Sequence, residues 1–574
     1  MFPFLQKYCS YKSSYLVFRE ALFIICGICA LCCMLVVPCI AAAKFDPMKA
    51  RGPRIEKLCM VNISNPDSQV LAAENGDLDI VSDITRPSDI DILSHDPKLS
   101  ISLARAFHAF FMLLNTKTEP WKDKTVRQAA AQSIDRNNIV RTIFSGYCEP
   151  INSWLPPISP WALPESTKNI YDRAAARAKL RSRGYTWNVS GMLVAPNGKL
   201  MPKMKLLTPL ARVAPTTAEL AEQIADSLRA VGFPVEVEPM DFSAMIAKID
   251  RKEYSLAVMA WGMGRNPDSL YSFYHSSMSF AGGYNMTGIS DKKLDAALTR
   301  LRFAKNRREA KIASIESQRL LEDLMPSVPI YSRFSVAAVS KRWKNIIRTD
   351  KMTADNIWTI MMAEPKDGKK KTMNMILADE PRNLNPFVAS SAYSWQVLGM
   401  IYEGMVDTNP ITLQDMPGIA ESWNVSTEGK GRAAHTVLRF RIKPGLKWND
   451  GSALNAQDIA ATILFIKKNK IPRFFDSVKN IKAVTAWGDS KIVVTMAGTS
   501  YWYLDNVGGL PCMPERIIKK IKDWQNWNPI DKNGKTGPSG FVGTGPFMFE
   551  EYKPGEYVMM KRNPYYRRLS GIKR

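Results

Sequence analysis

Residues 438–466 read LRFRIKPGLKWNDGSALNAQDIAATILFI, a stretch that places a strand, a turn and a capped helix in one order. Leu438, Phe440 and Ile442 alternate with basic residues, and this period of two predicts a half-buried strand. Pro-Gly and Asn-Asp-Gly then turn the chain. Asn455 follows, with an acidic residue three positions later, and predicts the capping box of a helix. The stretch therefore predicts mixed α and β structure.

The rest of the chain continues this mixture without strict alternation. Helical periodicity covers residues 126–141, 172–183, 217–231 and 291–324. Short β-like runs lie at residues 235–238, 256–260, 491–496 and 557–561. Such a pattern predicts two α/β lobes around a cleft.

Two blocks of motifs point to a known family. The later block contains LNPF, IYEGMVDTNP, PGIAESW and VGTGPFMFEEYKPGEYVMMKRNPYY in addition to residues 438–466. The earlier block contains AAENGDLDIV, LLNTKTEPWKDKTVRQAAAQSIDRNNIV, SWLPP, YDRAAARAKLRSRGY and PSVPIYSR. In these motifs the chain resembles the family 5 extracellular solute-binding proteins of ABC importers, the peptide- and nickel-binding group. The resemblance implies a periplasmic-binding-protein-like (type II) fold with an added subdomain.

The two blocks stand in inverted order relative to that family, which predicts a circularly permuted chain. Residues 1–50 would be a signal or membrane anchor, residues 51–360 the C-terminal-type half, residues 361–371 a linker and residues 372–574 the N-terminal-type half. Permutation is tolerated when the old ends are close and the new ends open in an exposed loop. A linker of eight to ten residues spans at most ~30 Å. The alternative is a fusion of two partial tandem copies.

The resemblance also implies where the lobes divide. One lobe would lie around residues 108–324. The other would combine residues 51–107, 325–409 and 541–574, with residues 410–540 as its subdomain. The chain would cross between lobes near residues 107 and 325, and these crossings are the candidate hinge.

Composition limits the function classes. The chain has 574 residues, 46% of them hydrophobic and 23% charged, which is typical of a globular protein with more than one core. Its net charge of +24 is spread along the chain, without a basic run interleaved with aromatics, so no nucleic-acid partner is predicted. Beyond residue 40 only Cys59, Cys148 and Cys512 remain, and this spacing predicts neither a disulfide framework nor a metal site.

Residues 21–43 form an uncharged apolar run preceded by Lys7, Lys12 and Arg19. The run fits either an export signal or a membrane-spanning helix, for which ~20 residues suffice. Both alternatives place the globular part outside the cytoplasm, in the periplasm or at the cell surface. The second would also anchor it to the membrane.

The sequence offers no support for catalysis. His95, His108, His275 and His435 lie far apart, without metal-ligand spacing. GxSxG, HExxH and a phosphate-binding loop are all missing from the sequence. We therefore predict a protein that is not an enzyme and that uses no cofactor.

The candidate binding segment is WGMGRNPDSLYSFY, residues 261–274, directly after the apolar run 256–260. A loop at the C-terminal end of a strand commonly binds ligands in α/β proteins. In peptide-binding members of the family, an Asp three residues after the matching Trp261 pairs with the α-amine of the peptide. Gly264 holds that position here, and Arg265 follows. We predict that Arg265 favours a carboxylate or phosphate, unless Asp268 replaces the lost acid.

The alternative is that Trp261 is a core aromatic and Arg265 a solvated charge. Gly262 leaves backbone groups open to a ligand. Further candidate contacts are Tyr284, Asn285, Ser390 and Ser391, which match cleft-lining stretches of the family.

Together these features predict an exported receptor that captures a peptide or another small organic solute between its lobes and delivers it to an ABC permease. Lobe closure would bury the solute. One alternative is a membrane-tethered sensor or scaffold of the same fold. Others are a hydrolase on that scaffold and a non-functional fusion of partial copies.

Overall fold

The computed structural model describes residues 45–163, 170–369, 371–381, 383–537 and 540–569. The apolar run at residues 21–43 lies outside these residues, so the predicted signal or anchor stays a prediction. Within the described part of the chain, no helix has the length and apolar character needed to cross a membrane.

The helices between residues 51 and 363 are α1 (Pro66–Asn75), α2 (Pro87–His95), α3 (Lys124–Ser133), α4 (Arg136–Phe144), α5 (Arg173–Ser182), α6 (Pro215–Arg229), α7 (Phe242–Asp250), α8 (Ser269–Tyr274), α9 (Lys292–Arg302), α10 (Arg307–Leu324) and α11 (Ile357–Met362). Those that follow are α12 (Ala392–Leu398), α13 (Ala456–Lys468), α14 (Pro472–Val478), α15 (Tyr503–Gly508) and α16 (Glu515–Ile518).

The strands up to residue 340 are β1 (Lys57–Asn62), β2 (Ile80–Val81), β3 (Leu99–Arg105), β4 (His108–Leu114), β5 (Cys148–Pro150), β6 (Thr186–Trp187), β7 (Leu193–Val194), β8 (Met204–Pro209), β9 (Val235–Met240), β10 (Leu256–Gly262) and β11 (Ser327–Ser340). The later strands are β12 (Trp343–Lys344), β13 (Glu364–Pro365), β14 (Thr372–Leu377), β15 (Val406–Thr408), β16 (Asp415–Pro417), β17 (Ala420–Glu428), β18 (His435–Ile442), β19 (Ile481–Trp487), β20 (Lys491–Met496), β21 (Phe547–Lys553) and β22 (Tyr557–Arg562).

One sheet of twelve strands runs through both lobes, in the order β21-β22-β1-β14-β2-β11-β4-β10-β8-β9, with β3 and β5 also paired to β11. The first half of β11 pairs with β4 and β5, and its second half pairs with β3 and β2. We call residues 108–332 the central lobe. Residues 51–106, 334–409 and 541–569 form the terminal lobe, to which the subdomain, residues 410–540, is attached.

Each lobe has its own core. In the central lobe, Phe111, Trp121 and Trp154 are among the fully buried side chains. A second core joins the terminal lobe to the subdomain, since Phe387 and Phe547 belong to the same cluster as the subdomain residues. The subdomain therefore shares this core with the terminal lobe.

The chain crosses between lobes at two places. The first crossing lies between β3 and β4, at residues 106–107, near the expected position. The second lies at Arg333–Phe334, inside β11, where Arg333 still pairs with Cys148 and Phe334 pairs with Arg105. It falls eight residues later than expected near residue 325, because the strand that follows helix α10 first pairs within the central lobe.

Several predicted elements have the expected place, and two predicted helices are divided. Residues 491–496 coincide with β20, and the run 256–260 extends to Gly262. The prediction of one helix over 126–141 is wrong, because the Asp135 side chain accepts from the Asn138 N–H and starts a new helix. Likewise Asn306 caps a second helix within 291–324. In both cases an N-cap residue starts a second helix within a stretch whose apolar residues otherwise keep a helical spacing.

The stretch at residues 438–466 folds as its pattern predicts. Strand β18 lies in a four-stranded sheet of order β17-β18-β20-β19. The Asn455 side chain accepts from the Asp458 N–H at 3.0 Å, and the Asp458 carboxylate accepts from the Asn455 N–H at 3.2 Å. This reciprocal capping box starts α13 at Ala456.

The two blocks of the chain meet in the terminal lobe. Strand β1 lies between β14, in parallel pairing, and β22, in antiparallel pairing. Beyond these strands, the Gly52 N–H donates to the Arg568 carbonyl at 3.1 Å. The segment 366–369, which joins the two blocks, is exposed.

Candidate functional site

Strand β10 carries the candidate segment to the edge of the central lobe. The Trp261 ring stacks on Phe273, with centroids 4.6 Å apart, and Tyr284 meets Trp261 edge to face at 6.4 Å. Tyr284 is 54% exposed, while Trp261 is half-buried. The three rings, Trp261, Phe273 and Tyr284, form an aromatic cluster with one accessible side. Such a surface can receive a planar or apolar ligand group.

The two glycines beside the aromatic cluster are exposed. A Cβ at Gly264 would meet no atom nearer than the Asn266 nitrogen at 4.0 Å, and one at Gly262 would lie 3.6 Å from His108 Nε2. Packing therefore does not require glycine at either position. Because glycine has no side chain, the backbone at both positions is accessible beside the aromatic cluster.

Arg265 points to the subdomain. Its Nη1 donates to the Leu413 carbonyl at 2.8 Å, and its Nη2 donates to the carboxylates of Asp415 and Asp505. The Asn266 amide donates to Asp505 as well. The predicted anion partner of Arg265 is therefore, in this structure, a pair of the protein's own carboxylates.

Burial dominates the electrostatics of Asp505. It raises the pKa of Asp505 to about 6, although the charge of Arg265 acts in the opposite direction and Asp415 adds to the rise. A cavity of about 270 Å³ lies beside this cluster, between Trp161 on the central lobe and Tyr501 on the subdomain. Both sides of the crevice thus contribute charged and aromatic groups.

Asp268 is engaged in a different contact. Its carboxylate accepts from Arg302 through both oxygens, at 3.1 and 3.2 Å. The Arg302 guanidinium lies 3.9 Å from the centroid of the Tyr271 ring. These residues border a crevice of about 390 Å³ that also reaches Asn506 of the subdomain. Asp268 is thus paired with Arg302 inside the central lobe in this arrangement.

The remaining candidates divide into structural and accessible residues. Asn285 is fully buried: its amide donates to the carbonyls of His275 and Ile289 at 3.1 and 2.9 Å. Its side-chain oxygen accepts from the Gly288 N–H at 3.0 Å. Asn285 therefore holds the loop that presents Tyr284. In the terminal lobe, Ser390 is exposed and Ser391 caps α12 by accepting from the Tyr393 N–H at 3.2 Å.

A second group of polar residues lies at the two crossings between the lobes. The sequence analysis did not indicate this group as a binding site. Arg333 donates to Asp83 at 2.5 Å. Burial, and then the charge of Arg333, lowers the pKa of His108, whose Nδ1 is buried without a hydrogen-bond partner among the described residues. Burial, and then the charge of Asp83, raises the pKa of Tyr393. The position of His108 at a predicted crossing was the available signal.

The sequence model described as "Bacterial extracellular solute-binding proteins, family 5 Middle" matches residues 40–282 and 416–574. The chain belongs to this family. Its two-lobed α/β body is the type II fold expected of a family 5 solute-binding protein, and the subdomain is attached to the terminal lobe.

Individual relatives are distant. The chain is 23% identical to "Di/tripeptide-binding protein 2" of Pseudomonas aeruginosa over 291 residues, which cover 50% of this chain and 52% of that protein. It is 26% identical to "Probable ABC transporter periplasmic-binding protein SapA" of Escherichia coli, over 45% of this chain and 46% of that one. The chain spans about half the length of the curated relatives it matches.

Solved structures that are similar to this chain also show low sequence identity. The oligopeptide-binding protein AppA of Bacillus subtilis, in complex with a nonapeptide, is 20% identical with a TM-score of 0.45, over 53% of this chain and 59% of that one. NikA of Brucella suis, in complex with Fe(III)-EDTA, is 19% identical with a TM-score of 0.46, over 53% and 61%.

Within this family 5 protein, the candidate residues form three groups. Trp261, Gly262 and Tyr284 lie together at the end of β10, next to His108 of the hinge. Ser391 lies beside Tyr393 in the terminal lobe. Arg265 stands apart from both groups and contacts the subdomain. The structure therefore brings the aromatic candidates to the hinge and assigns the charged candidate to a different contact.

Proposed function

We propose that this chain is an extracytoplasmic solute-binding receptor of an ABC importer. It captures a peptide or another small organic solute between the central and terminal lobes and delivers it to the permease. The observation that carries this proposal is a family 5 body with an accessible aromatic cluster beside the hinge between its lobes. Relatives named as di/tripeptide-binding proteins support the peptide class.

Ligand contacts are proposed for Trp261, Gly262, Gly264 and Tyr284, with Ser390 on the facing lobe. The supports for this surface are Asn285, which holds the loop, and Ser391, which caps α12. Arg265 and Asp268 are paired in this structure and act as supports as well.

The hinge residues suit a ligand that carries both signs of charge. Asp83, whose side chain is 58% exposed, offers a carboxylate to an ammonium group. Arg333 and His108 offer donors to a carboxylate. A short peptide has both groups and planar amides for the aromatic cluster, so a zwitterionic peptide fits better than a uniformly anionic solute.

Binding without turnover is part of the proposal. Near the aromatic cluster, His275 Nδ1 lies 2.8 Å from the Ser277 hydroxyl, but it also accepts from the Ser277 N–H at 3.1 Å and so caps the local turn. A peptide incubated with the protein should be recovered intact by mass spectrometry, and cleavage would favour the hydrolase alternative.

The domain organisation and the permuted order are also proposed. Support comes from β1, which pairs with β14 and β22, and from a relative whose match covers only 50% of this chain. The alternative of two fused partial copies predicts two incomplete lobes with exposed apolar faces. A sequenced transcript with the blocks in the conventional order would contradict the permutation.

Export through residues 21–43, with or without retention at the membrane, completes the proposal. Protease added to intact cells should degrade the body if it lies outside the cytoplasm. Protection in spheroplasts but not in lysates would contradict export.

The decisive experiment identifies the ligand. Native mass spectrometry of the purified protein should detect a bound peptide or organic solute. Calorimetry with a free tripeptide and its N-acetylated form then tests the ammonium contact. Tyr284→Ala should weaken binding ~10-fold or more, whereas Trp487→Ala, at a 64% exposed Trp of the subdomain, should leave binding unchanged. A protein that binds its solute but supports no uptake with any permease would instead favour the sensor alternative.

A further inference from the structure

The subdomain contacts the central lobe through segments other than the crossing strands. The Ser500 hydroxyl donates to the Arg302 carbonyl at 2.8 Å, and the Tyr501 N–H donates to the Ala304 carbonyl at 2.6 Å. The bonds tie one loop of the subdomain to the loop between α9 and α10. The two lobes are therefore in contact through the subdomain, in addition to the two places where the chain crosses between them.

Trp502 anchors this contact. Only 2% of it is exposed, and it belongs to the core of the central lobe although the chain around it belongs to the subdomain. Its Nε1 donates to the Leu301 carbonyl at 2.9 Å, and its ring meets Trp161 edge to face at 5.1 Å. Separating the lobes would thus expose a large aromatic side chain and leave its N–H without this acceptor.

Arg265 reaches in the opposite direction, from the central lobe into the subdomain. Its three acceptors, Leu413, Asp415 and Asp505, come from two separate segments. The side chains of Asp415 and Asp505 are only 25% and 20% exposed. One guanidinium therefore pairs with two largely buried carboxylates and reduces the repulsion between them.

We propose that Arg265 is a positioning residue that clasps the central lobe to the subdomain and holds the lobes closed, with Asp415 and Asp505 as its receptor. This inference rests on the proposed function in one respect, namely that lobe closure is the motion that captures the solute. The clasp goes beyond that function because it holds the lobes through protein contacts alone. A share of the unliganded protein is then closed, and solute release requires the clasp to open.

The chemistry of the clasp explains why arginine is needed. Two carboxylates and a carbonyl surround the guanidinium, whose planar fork can donate to all three. A lysine would supply the charge as a single point and would retain part of the effect. Without a cation, closing the lobes would bury two neighbouring carboxylates of the subdomain against the central lobe without a partner, which disfavours the closed form strongly.

Hydrogen–deuterium exchange of the unliganded full chain tests the clasp. Peptides that cover residues 262–270, 411–416 and 499–507 report the contact, and a peptide over 435–442 reports global unfolding. Arg265→Ala should speed exchange in the first three segments ~10-fold or more and leave the fourth unchanged. The control is Arg300→Ala, which removes an ion pair with Glu316 at 2.6 Å inside the central lobe and should change the contact segments less than twofold.

A second variant separates a clasp from general structural damage. Adding Asp505→Asn to Arg265→Ala removes one of the two unpaired carboxylates, so exchange should return at least halfway to the wild-type rate. Unchanged exchange in Arg265→Ala, equal acceleration of residues 435–442, or no recovery in the double variant would overturn the proposal. Since no solute is present, a protein that binds nothing would refute the proposed function and leave this result untouched.

Discussion

The Gly52 N–H donates to the carbonyl oxygen of Arg568 at 3.1 Å, although 516 positions separate the two residues. Both residues lie next to the central strands of the terminal lobe, β1 and β22. Because these strands pair directly, the two blocks of the chain are built into one sheet rather than placed side by side.

This proximity predicts that the chain tolerates the conventional order of its blocks. In a variant with that order, residues 371–569 come first, a short Gly-Ser linker follows, and residues 50–365 come last. We expect this variant to fold to the same structure. Its midpoint of thermal unfolding should lie within about 5 °C of that of the original chain, since the segment 366–369 that it loses is exposed. Circular dichroism during heating measures this. Aggregation, or two separate transitions, would contradict the proposed permutation.

Gly52 also allows a close backbone approach to Met361, at the start of the predicted linker. A Cβ at this position would lie 2.3 Å from the Met361 carbonyl oxygen, so backbone would have to move. We expect Gly52→Ala to lower the free energy of unfolding by about 1–3 kcal/mol. The matched control is Gly264→Ala, where the nearest atom is 4.0 Å away and the change should stay within about 0.5 kcal/mol. Urea unfolding of both variants provides the comparison.

Asn285 and Tyr284 should separate stability from binding. Asn285→Ala removes a buried amide that satisfies the carbonyls of His275 and Ile289, and we expect a loss of about 2–4 kcal/mol in the free energy of unfolding. Tyr284→Ala removes an exposed ring and should change that free energy by less than about 1 kcal/mol while weakening binding of the copurified solute. Chemical unfolding and calorimetry measure the two effects. The reverse pattern would show that Asn285 is the ligand contact.

Asp505 should give stability a specific dependence on pH. Its pKa is raised by burial to about 6 in the folded protein, against about 3.9 in an unfolded chain. The folded state therefore takes up a proton first as the pH falls, and the contribution of this group to stability rises between about pH 6.5 and pH 4. Asp505→Asn removes that rise. The free energy of unfolding of the variant minus that of the wild type should therefore be larger at pH 7.5 than at pH 4.5, by at most ~3 kcal/mol.

Urea unfolding at the two pH values measures this difference. Asp476→Asn, at an 87% exposed side chain of the same subdomain, is the control and should show little difference between the two pH values. If the wild-type protein loses stability relative to Asp505→Asn on acidification, the pH dependence has the opposite sign. That result would contradict a pKa raised by burial.

The sequence by itself determined the local elements and the family. The capping box at Asn455, the strand of residues 438–442 and the helix after Asp172 follow from side chains within a few positions of one another. Such interactions form whenever the local chain is ordered, so spacing alone predicts them. The family follows in the same way, because ordered motifs are properties of the sequence. The binding segment at residues 261–274 stays a prediction.

Only the tertiary structure decided what the charged candidates do. Arg265 meets Asp415 and Asp505, which are 150 and 240 positions away, and a guanidinium pairs with whichever carboxylates the fold brings near. Asn285, a candidate ligand contact, is buried and hydrogen-bonded within its own loop. The second crossing, at Arg333, is likewise set by pairing, because β11 exchanges partners in mid-strand without a break in its own pattern. Long-range contacts carry no local spacing, and this is why the hinge group and the clasp could not be read from the sequence.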